Sequence, residues 1–292
     1  MTVKIICDSS ADLNLPKDKT LYEKYDIEWV PMQVMFGTDA YKEMVDISVS
    51  EYYKKLSKAE EHPTTSQSTQ ADLLAAYEKY SDKVDEILSM HLSSELSGAV
   101  ANAQMAKKMY EKQNPDGAKI HIYDTRFASA PFGVTVIKAA QFVKEGLNAE
   151  EIMTKVEEWR TKNLSFYFTV SDLKWLYEGG RLSATKYRLG SLLKKKPILT
   201  FVDGKIDPYK SERGLDKAVQ AIFEKQLDDL QAEPKDVTLH FAHAEYYKET
   251  KEYAQKFKEQ YPGLKFGEIL TIGAAIGSHT GPGTIVMTMT KD

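Results

Sequence analysis

Short apolar runs alternate with amphipathic segments along most of this chain, and this alternation constrains the fold more than any other feature of the sequence. The apolar runs have the length of a buried strand, whereas the segments between them carry apolar residues at helical spacing. Such alternation predicts an α/β fold, in which helices cover both faces of a largely parallel sheet. The predicted strands of the first half are Val3–Cys7, Glu28–Phe36, Val84–Leu92 and Lys119–Asp124.

Helices are predicted between these strands, and Ser50 has a side chain of the type that commonly caps a helix. The segment Thr64–Ser68 is polar and predicts a loop. The predicted helices of the first half are Ser50–Glu61, Gln70–Tyr80, Gly98–Gln113, Ala130–Glu145 and Ala149–Lys162.

The second half begins near Ser165 and continues the same pattern, and 292 residues suffice for about two domains. We therefore expect an N-terminal α/β domain over residues 1–163, with a small subregion at about 14–62, and a C-terminal α/β domain over residues 164–292. The predicted strands of the second half are Ser165–Val170, Pro197–Val202, Val237–His243, Phe266–Leu270 and Ile285–Met289. The predicted helices are Leu173–Glu178, Thr185–Leu193, Leu215–Leu230 and Tyr246–Tyr261.

The composition narrows the class of protein. The net charge of −4 and the lack of a long basic run argue against nucleic acid as a partner. The one cysteine, Cys7, excludes a disulfide within the chain, and its apolar surroundings indicate a buried thiol rather than a nucleophile. No apolar run approaches the ~20 residues that cross a bilayer, and the first residues lack a signal-peptide pattern. We expect a cytoplasmic protein without stable membrane insertion.

No metal or cofactor site is predicted. His240 and His243 are three positions apart in a predicted strand, which directs their side chains to opposite faces of the sheet. The sequence contains no HExxH motif, no cysteine cluster, no P-loop and no dinucleotide fingerprint after a strand.

Polar loops follow three of the predicted strands. They are Asp8–Ser10, Ser93–Ser97 and Asp124–Ser129, and the last of them ends in a candidate ligand residue, Ser129. Because ligands of open α/β sheets bind beyond the carboxyl ends of the strands, we expect these loops to gather at one edge and to form a site.

The segment Ile272–Thr284 places His279 and Thr280 among four glycines. Glycines let the backbone approach a ligand closely, and a histidine there can donate a hydrogen bond to an anion. The alternative is a glycine-rich turn before the last strand, in which the backbone satisfies His279.

Two hydroxyl-rich patches precede predicted helices. The first, Thr64–Thr69, includes Thr65 and Ser66, and its six consecutive polar residues exceed what one helix cap requires. The second, Ser93–Gly98, includes Ser94 and places Ser97 at the start of a helix, where a hydroxyl and the first amides suit a carboxylate or a phosphate. Gly98 has no side chain, so a ligand can approach the backbone closely at this position. In both patches, a simple capping role remains the alternative.

A serine hydrolase is a further hypothesis. Ser97, His279 and either Asp8 or Asp124 would supply the three members of a catalytic triad. The sequence around Ser97 reads ELSGA, which is not the G-x-S-x-G turn of α/β-hydrolases.

Eight stretches that span nearly the whole chain carry a family resemblance. In chain order they are KIICDSSADL, TTSQST, SSELSGAVANA, IYDTRFAS, LYEGGRLS, GSLLKKKPIL, SERG and IGSHTGPG. Taken together, they resemble the DegV family of bacterial fatty-acid-binding proteins. The resemblance implies a two-domain α/β fold that encloses one long-chain fatty acid between its domains. It also implies that a fatty acid kinase phosphorylates the bound acid to an acyl-phosphate, which the binding protein retains.

The resemblance also implies roles for individual residues. The residues that match the family's carboxylate ligands are Thr65, Ser97 and His279, and Gly98 belongs to the same motif as Ser97. Arg181 and Arg213 match arginines that are candidates for contact with the acyl-phosphate or the kinase. No catalytic residue and no cofactor is implied, and the fatty acid is the ligand.

Departures from the family pattern concern the loops around the site. Ser68 stands where the family usually has proline, and Ala130-Pro131 stands where Met-Gly is frequent. Glu95 and Glu212 alter the local charge, which bears on a kinase partner. The leading hypothesis is thus a fatty-acid carrier that serves a kinase and contacts membrane surfaces transiently to exchange lipid. The runner-up is a lipid buffer or regulator without a kinase.

Overall fold

The computed structural model describes residues 2–190 and 195–291, which form three sheets with helices packed against them. In chain order the strands are β1 (Val3–Asp8), β2 (Asn14–Leu15), β3 (Lys19–Thr20), β4 (Ile27–Val30), β5 (Gln33–Phe36), β6 (Asp39–Lys42), β7 (Thr64–Ser66), β8 (Glu86–His91), β9 (Lys119–Asp124), β10 (Leu164–Thr169), β11 (Lys196–Val202), β12 (Lys205–Glu212), β13 (Val237–His243), β14 (Lys265–Thr271) and β15 (Ile285–Lys291). The α-helices are α1 (Val49–Leu56), α2 (Gln70–Glu78), α3 (Ala99–Gln113), α4 (Ala130–Lys144), α5 (Ala149–Asn163), α6 (Lys174–Glu178), α7 (Ala184–Gly190), α8 (Leu215–Leu230), α9 (Tyr247–Gln260) and α10 (Ala274–Thr280).

The first sheet is parallel and has the strand order β4-β1-β8-β9. Residues that alternate along its strands pack against different helices, because successive side chains point to opposite faces. Ile6 packs with apolar residues of α2 and α3, and its neighbour Ile5 packs with residues of α4 and α5. This arrangement confirms the predicted α/β class.

The second sheet has eight strands in the order β12-β11-β10-β15-β13-β14-β2-β3. Helices α8 and α9 cover one face, where Phe223 and Phe257 stack with ring centroids 4.5 Å apart. Residues 14–20 join the far edge of this sheet through the pairing of Asn14 with Thr271. The second half of the chain therefore shares its sheet with a segment of the first half.

The third sheet is small, has the order β6-β5-β7, and brings α1 and α10 together. The hydroxyl of Tyr53 on α1 donates to the carbonyl of Ile272, and the hydroxyl of Tyr52 lies 2.9 Å from that of Ser278 on α10. These buried contacts fix α10 against the N-terminal half.

Several predicted elements are corrected by the structure. The segment Glu28–Phe36 is two strands in different sheets, β4 and β5, because Pro31 between them has no N–H to donate to a ladder. Thr64–Ser66 is strand β7 rather than loop, since it pairs with β5. The first helix is capped by Ser48 and not by Ser50, because Ser48 forms a reciprocal capping box with Glu51.

The glycine-rich segment near the end of the chain contains a helix, α10, and not only a turn. The predicted helix Thr185–Leu193 is found as α7, which begins at Ala184. Residues 191–193 of that prediction lie outside the described residues. None of the helices in the described part of the chain combines the length and the hydropathy needed to span a bilayer.

Candidate functional site

A cavity lies between the carboxyl edge of the parallel sheet and strands β10, β11, β12 and β15 of the eight-stranded sheet. Its empty volume, with the open mouth included, is about 790 Å³. The polar lining residues are Thr65, Ser66, Gln67, Ser97, Gly98, Ser129, Arg181, His279 and Thr280. The apolar lining residues are Met32, Leu92, Leu96, Ala128, Phe166, Phe168, Leu176, Phe201, Ile206, Ala275, Ile276 and Val286.

The serine-bearing loops gather at this edge of the parallel sheet, as expected. The amide of Ser129 donates to the carbonyl of Ser10, and the Asp8 carboxylate accepts from the amide of Leu92. The loop after β9 also donates from Thr125 to the carbonyl of His91. These bonds lock the three loops to one another.

His279 lies near the end of α10, on the cavity wall. Its Nε2 is 2.7 Å from the hydroxyl of Thr65 on β7. Burial, with the nearby Arg181 guanidinium, lowers the pKa of His279 to about 3, so the ring is neutral at pH 7. Nδ1 is buried without a hydrogen-bond partner among the described residues, and a side chain at Gly179 would collide with it.

Ser97 precedes α3, which begins at Ala99 with Gly98 as its N-cap. The Ser97 hydroxyl accepts a hydrogen bond of 3.3 Å from the amide of Ala99, and its own proton makes no bond to the described residues. Ser97 therefore satisfies one amide at the start of α3 and can still donate to a ligand. A methyl group at Gly98 would make only ordinary contact with Gln67, at 3.5 Å.

Arg181 is the cation of the cavity lining in the described residues, and it joins the two halves of the chain. Its Nε donates to the carbonyl of Leu96 at 3.2 Å, and its Nη1 donates to the carbonyl of Gly179 at 2.6 Å. Burial lowers the pKa of Arg181, yet an arginine stays charged at any physiological pH. The guanidinium thus provides positive potential beside Ser97 and His279.

Three further candidate hydroxyls line the cavity but are already engaged. Ser129 donates to the Asp12 carboxylate at 2.6 Å, and Thr280 donates to the carbonyl of Ile276 at 3.2 Å. Ser66 donates to the carbonyl of Gln67 at 3.4 Å. These three hydroxyls are available to a ligand mainly as acceptors, which suits a carboxylate less well than Thr65 or Ser97 does.

Two candidate residues do not reach the cavity. Ser94 is exposed, and its amide faces the carboxylate of Asp124. Arg213 is exposed just before α8 and is absent from the cavity lining. Neither residue contacts a ligand held inside the cavity.

The parts of a serine hydrolase triad are not assembled. His279 pairs with Thr65 and not with Ser97, and no carboxylate of the described residues orients its ring. Asp8 is instead 3.1 Å from His91, and Asp124 caps the turn that contains Arg126. Within residues 2–190 and 195–291 there is also no cluster of histidine, cysteine and acidic side chains that would hold a metal ion.

Sequence reasoning missed Gln67 and the aromatic wall. Phe166 packs edge-to-face on Phe201, with ring centroids 5.0 Å apart, and Phe168 packs on Phe201 at 6.1 Å. In one dimension, the apolar pattern of β10 does not distinguish a residue that faces a cavity from one that faces a core. Gln67 directly follows the candidates Thr65 and Ser66 in the polar patch Thr64–Thr69, and this position was the one detectable signal.

The similarity to known proteins extends over nearly the whole chain. The sequence matches the DegV family over residues 2–292. Protein DegV of Bacillus subtilis is 32% identical over 285 residues, which cover 98% of each chain. Among solved structures, DegV, a fatty acid binding protein from Bacillus subtilis, has a TM-score of 0.86 at 31% identity, with 100% of both chains covered. A fatty-acid-binding DegV family protein from Thermus thermophilus has a TM-score of 0.85 at 27% identity, again with 100% of both chains covered.

Proposed function

The chain belongs to the DegV family, and on this premise we propose that it binds one long-chain fatty acid in the cavity between its two halves. The observation that carries the proposal is the composition of the cavity wall. Twelve of the 21 lining residues are apolar, and the polar ones include Arg181 and His279. The fatty-acid-binding neighbours with the same fold support the choice of ligand.

The acyl chain would supply most of the affinity. Each methylene removed from water contributes about 0.8 kcal/mol, and the aromatic wall of Phe166, Phe168 and Phe201 offers a dry surface for it. The acyl chain is thereby held without any specific polar contact along its length.

The carboxylate would be held by Thr65, Ser97 and His279, with the Arg181 charge close by. A carboxylate that enters a dry space needs strong donors, because the loss of its hydration otherwise opposes binding. Ser97 offers an unused proton, and Thr65 and the neutral His279 ring share one that a ligand can redirect. No metal is required for this arrangement.

We further propose that the bound acid is presented to a fatty acid kinase, which phosphorylates its carboxylate to an acyl-phosphate. The polar end of the cavity supports this role, since Gly98 is exposed and Thr65 and Ser97 are only half-buried. The exposed Arg213 is proposed to contact the kinase or the phosphate from outside the cavity. The protein would act in the cytoplasm and visit membrane surfaces transiently to exchange lipid. The second candidate function, a kinase-independent lipid buffer, uses the same site.

Native mass spectrometry of the purified protein, followed by denaturation and lipid extraction, tests the binding role. We expect a stoichiometric adduct that resolves into fatty acids. A protein that is free of lipid and stays so after incubation with oleate and palmitate would contradict the proposal. Loading with defined acids in the same assay ranks the chain lengths that fit.

Incubation of the oleate-loaded protein with a bacterial fatty acid kinase and labelled ATP tests the kinase role. The expected result is label in an extractable acyl-phosphate that appears only when the protein, the lipid and the kinase are all present. Binding of oleate without any transfer would favour the buffer over the kinase partner.

A further inference from the structure

Two buried carboxylates of the N-terminal half hold the start of α10, the helix that carries His279. The Asp12 carboxylate accepts a hydrogen bond of 2.8 Å from the amide of Gly273, and the Glu43 carboxylate accepts one of 3.2 Å from the amide of Ala275. Asp12 is 0% and Glu43 1% exposed. The two residues therefore hold the helix from a dry interior.

These carboxylates accept hydrogen bonds from amides at the start of α10, which is the role of a capping side chain in other helices. The N-cap residue, Gly273, has no side chain with which to satisfy the first amides of the helix. A Cβ at this position would collide with the Glu43 carboxylate and approach that of Asp12. The backbone of α10 is thus fitted to two acidic side chains from distant parts of the sequence.

Both carboxylates are themselves positioned by residues of the cavity loops. Ser129, on the cavity wall, donates to Asp12, and Ser9 donates to Glu43 at 2.5 Å. Burial is the largest cause that raises the pKa of both acids. Each carboxylate oxygen of Asp12 and Glu43 nevertheless has a hydrogen-bond partner, and a satisfied buried polar network of this kind holds one specific geometry.

The short length of α10 links this cap to His279. The helix has seven residues, so its two ends are only about 10 Å apart at a rise of 1.5 Å per residue. A shift or tilt at Gly273 therefore moves the imidazole relative to Thr65, which lies on strand β7. We propose that Asp12 and Glu43 are positioning residues that set the His279 ring for the carboxylate of the ligand. This inference rests on the proposed fatty-acid site.

The test compares a ligand that has the carboxylate with one that lacks it. Affinities of palmitate and of hexadecan-1-ol are measured for the wild-type protein and for Glu43→Gln, by competition with a fluorescent fatty acid. The amide keeps the volume of the side chain but replaces one acceptor oxygen with an NH2 group, which cannot accept the hydrogen bond from the amide of Ala275 or from Ser9. We expect the preference for the acid over the alcohol to fall by about fivefold to tenfold, as for a weakened hydrogen bond to a charged group. Alcohol binding should be nearly unchanged.

Glu86→Gln is a matched control. Glu86 is 3% exposed and accepts from the amide of Ala149, the first residue of α5, as well as pairing with His121. The control should lower the melting temperature and leave the acid-over-alcohol preference intact. If Glu43→Gln does not fold, Asp12→Asn carries the same comparison.

A double-mutant cycle with His279→Ala completes the test. If the carboxylates act through the imidazole, Glu43→Gln should have little further effect on the acid-over-alcohol preference once the ring is gone. A Glu43→Gln protein that is less stable and yet keeps the full wild-type preference would overturn the positioning role. A wild-type protein with no preference for the acid would instead overturn the proposed carboxylate site itself.

Discussion

At the scale of single residues, Ser97 offers the sharpest test of the carboxylate site. Its hydroxyl has an unused proton on the cavity wall, so Ser97→Ala should weaken fatty-acid binding by roughly 1–3 kcal/mol, the usual cost of a lost hydrogen bond to a charged group. Isothermal titration with palmitate measures this change. Ser94→Ala is the matched control, since Ser94 is exposed and outside the cavity. Equal affinities for the two variants would mean that Ser97 only accepts from the Ala99 amide and does not bind the ligand.

His279 should matter for binding more than for folding. Its ring makes one side-chain hydrogen bond, to Thr65, and leaves Nδ1 unpartnered. We expect His279→Ala to weaken palmitate binding by roughly 1–3 kcal/mol while the lipid-free protein stays folded. Calorimetry of both forms checks this. A collapse of the lipid-free melting temperature would show that the ring is structural.

At the scale of elements, the β11–β12 hairpin closes one wall of the cavity against the N-terminal half. Phe201 and Ile206 line the cavity on either side of the turn. Ser93 donates to the carbonyl of Gly204 at 2.8 Å, and Lys205 pairs with Glu95 at 3.2 Å. The hairpin is thus attached by its tip.

Gly204→Ala should detach that tip. Gly204 has a φ of +80°, and a Cβ there would collide with the Ser93 hydroxyl. The control Gly146→Ala has a similar φ of +85° but open space around it, so it carries the backbone strain alone. We expect Gly204→Ala to destabilise the protein by about 1–2 kcal/mol more than the control in urea unfolding. Equal losses would mean that the hairpin tip contributes no stability.

At the scale of the whole molecule, His279 couples stability to pH. Its folded pKa of about 3 lies below the ordinary value for histidine, so the unfolded chain binds the extra proton first as the pH falls. The contribution of His279 to stability is therefore complete above the unfolded pKa and is lost progressively towards pH 4. His243, whose pKa burial lowers to about 4, acts in the same direction. The raised pKa values of Asp12 and Glu43 act in the opposite direction.

Comparison with His279→Ala isolates this contribution. Between pH 7 and pH 4 the lipid-free wild-type protein should lose about 2–3 kcal/mol more stability than the variant, because the other groups titrate in both. Urea unfolding at several pH values measures the difference. Parallel stability curves for the two proteins would place the His279 pKa near its ordinary value.

The alternation of strands and helices was predictable because it is local. The strands β1, β8 and β9 appear where the apolar runs are, with β1 and β8 fully buried and β9 partly buried. Thr65, Ser97 and His279 were predictable as a candidate set because short motifs and helix starts identify them. Their role as carboxylate ligands stays a prediction. The boundary between the domains also stays a prediction, since residues 14–20 pair with the sheet of the second half.

The sequence by itself determined the fold class, the polar loops at one edge of the parallel sheet and the residues worth testing. Only the tertiary structure decided which hydroxyl groups of these residues are already hydrogen-bonded and which can still donate to a ligand. The Ser129 hydroxyl is engaged by Asp12, whereas the Ser97 proton is unused, and no local pattern separates the two cases. Glu43 and Ala275 were invisible as partners because they are 232 positions apart in the sequence. Hydrogen bonds and burial depend on which surfaces the folded chain brings together, and those surfaces come from segments far apart in sequence.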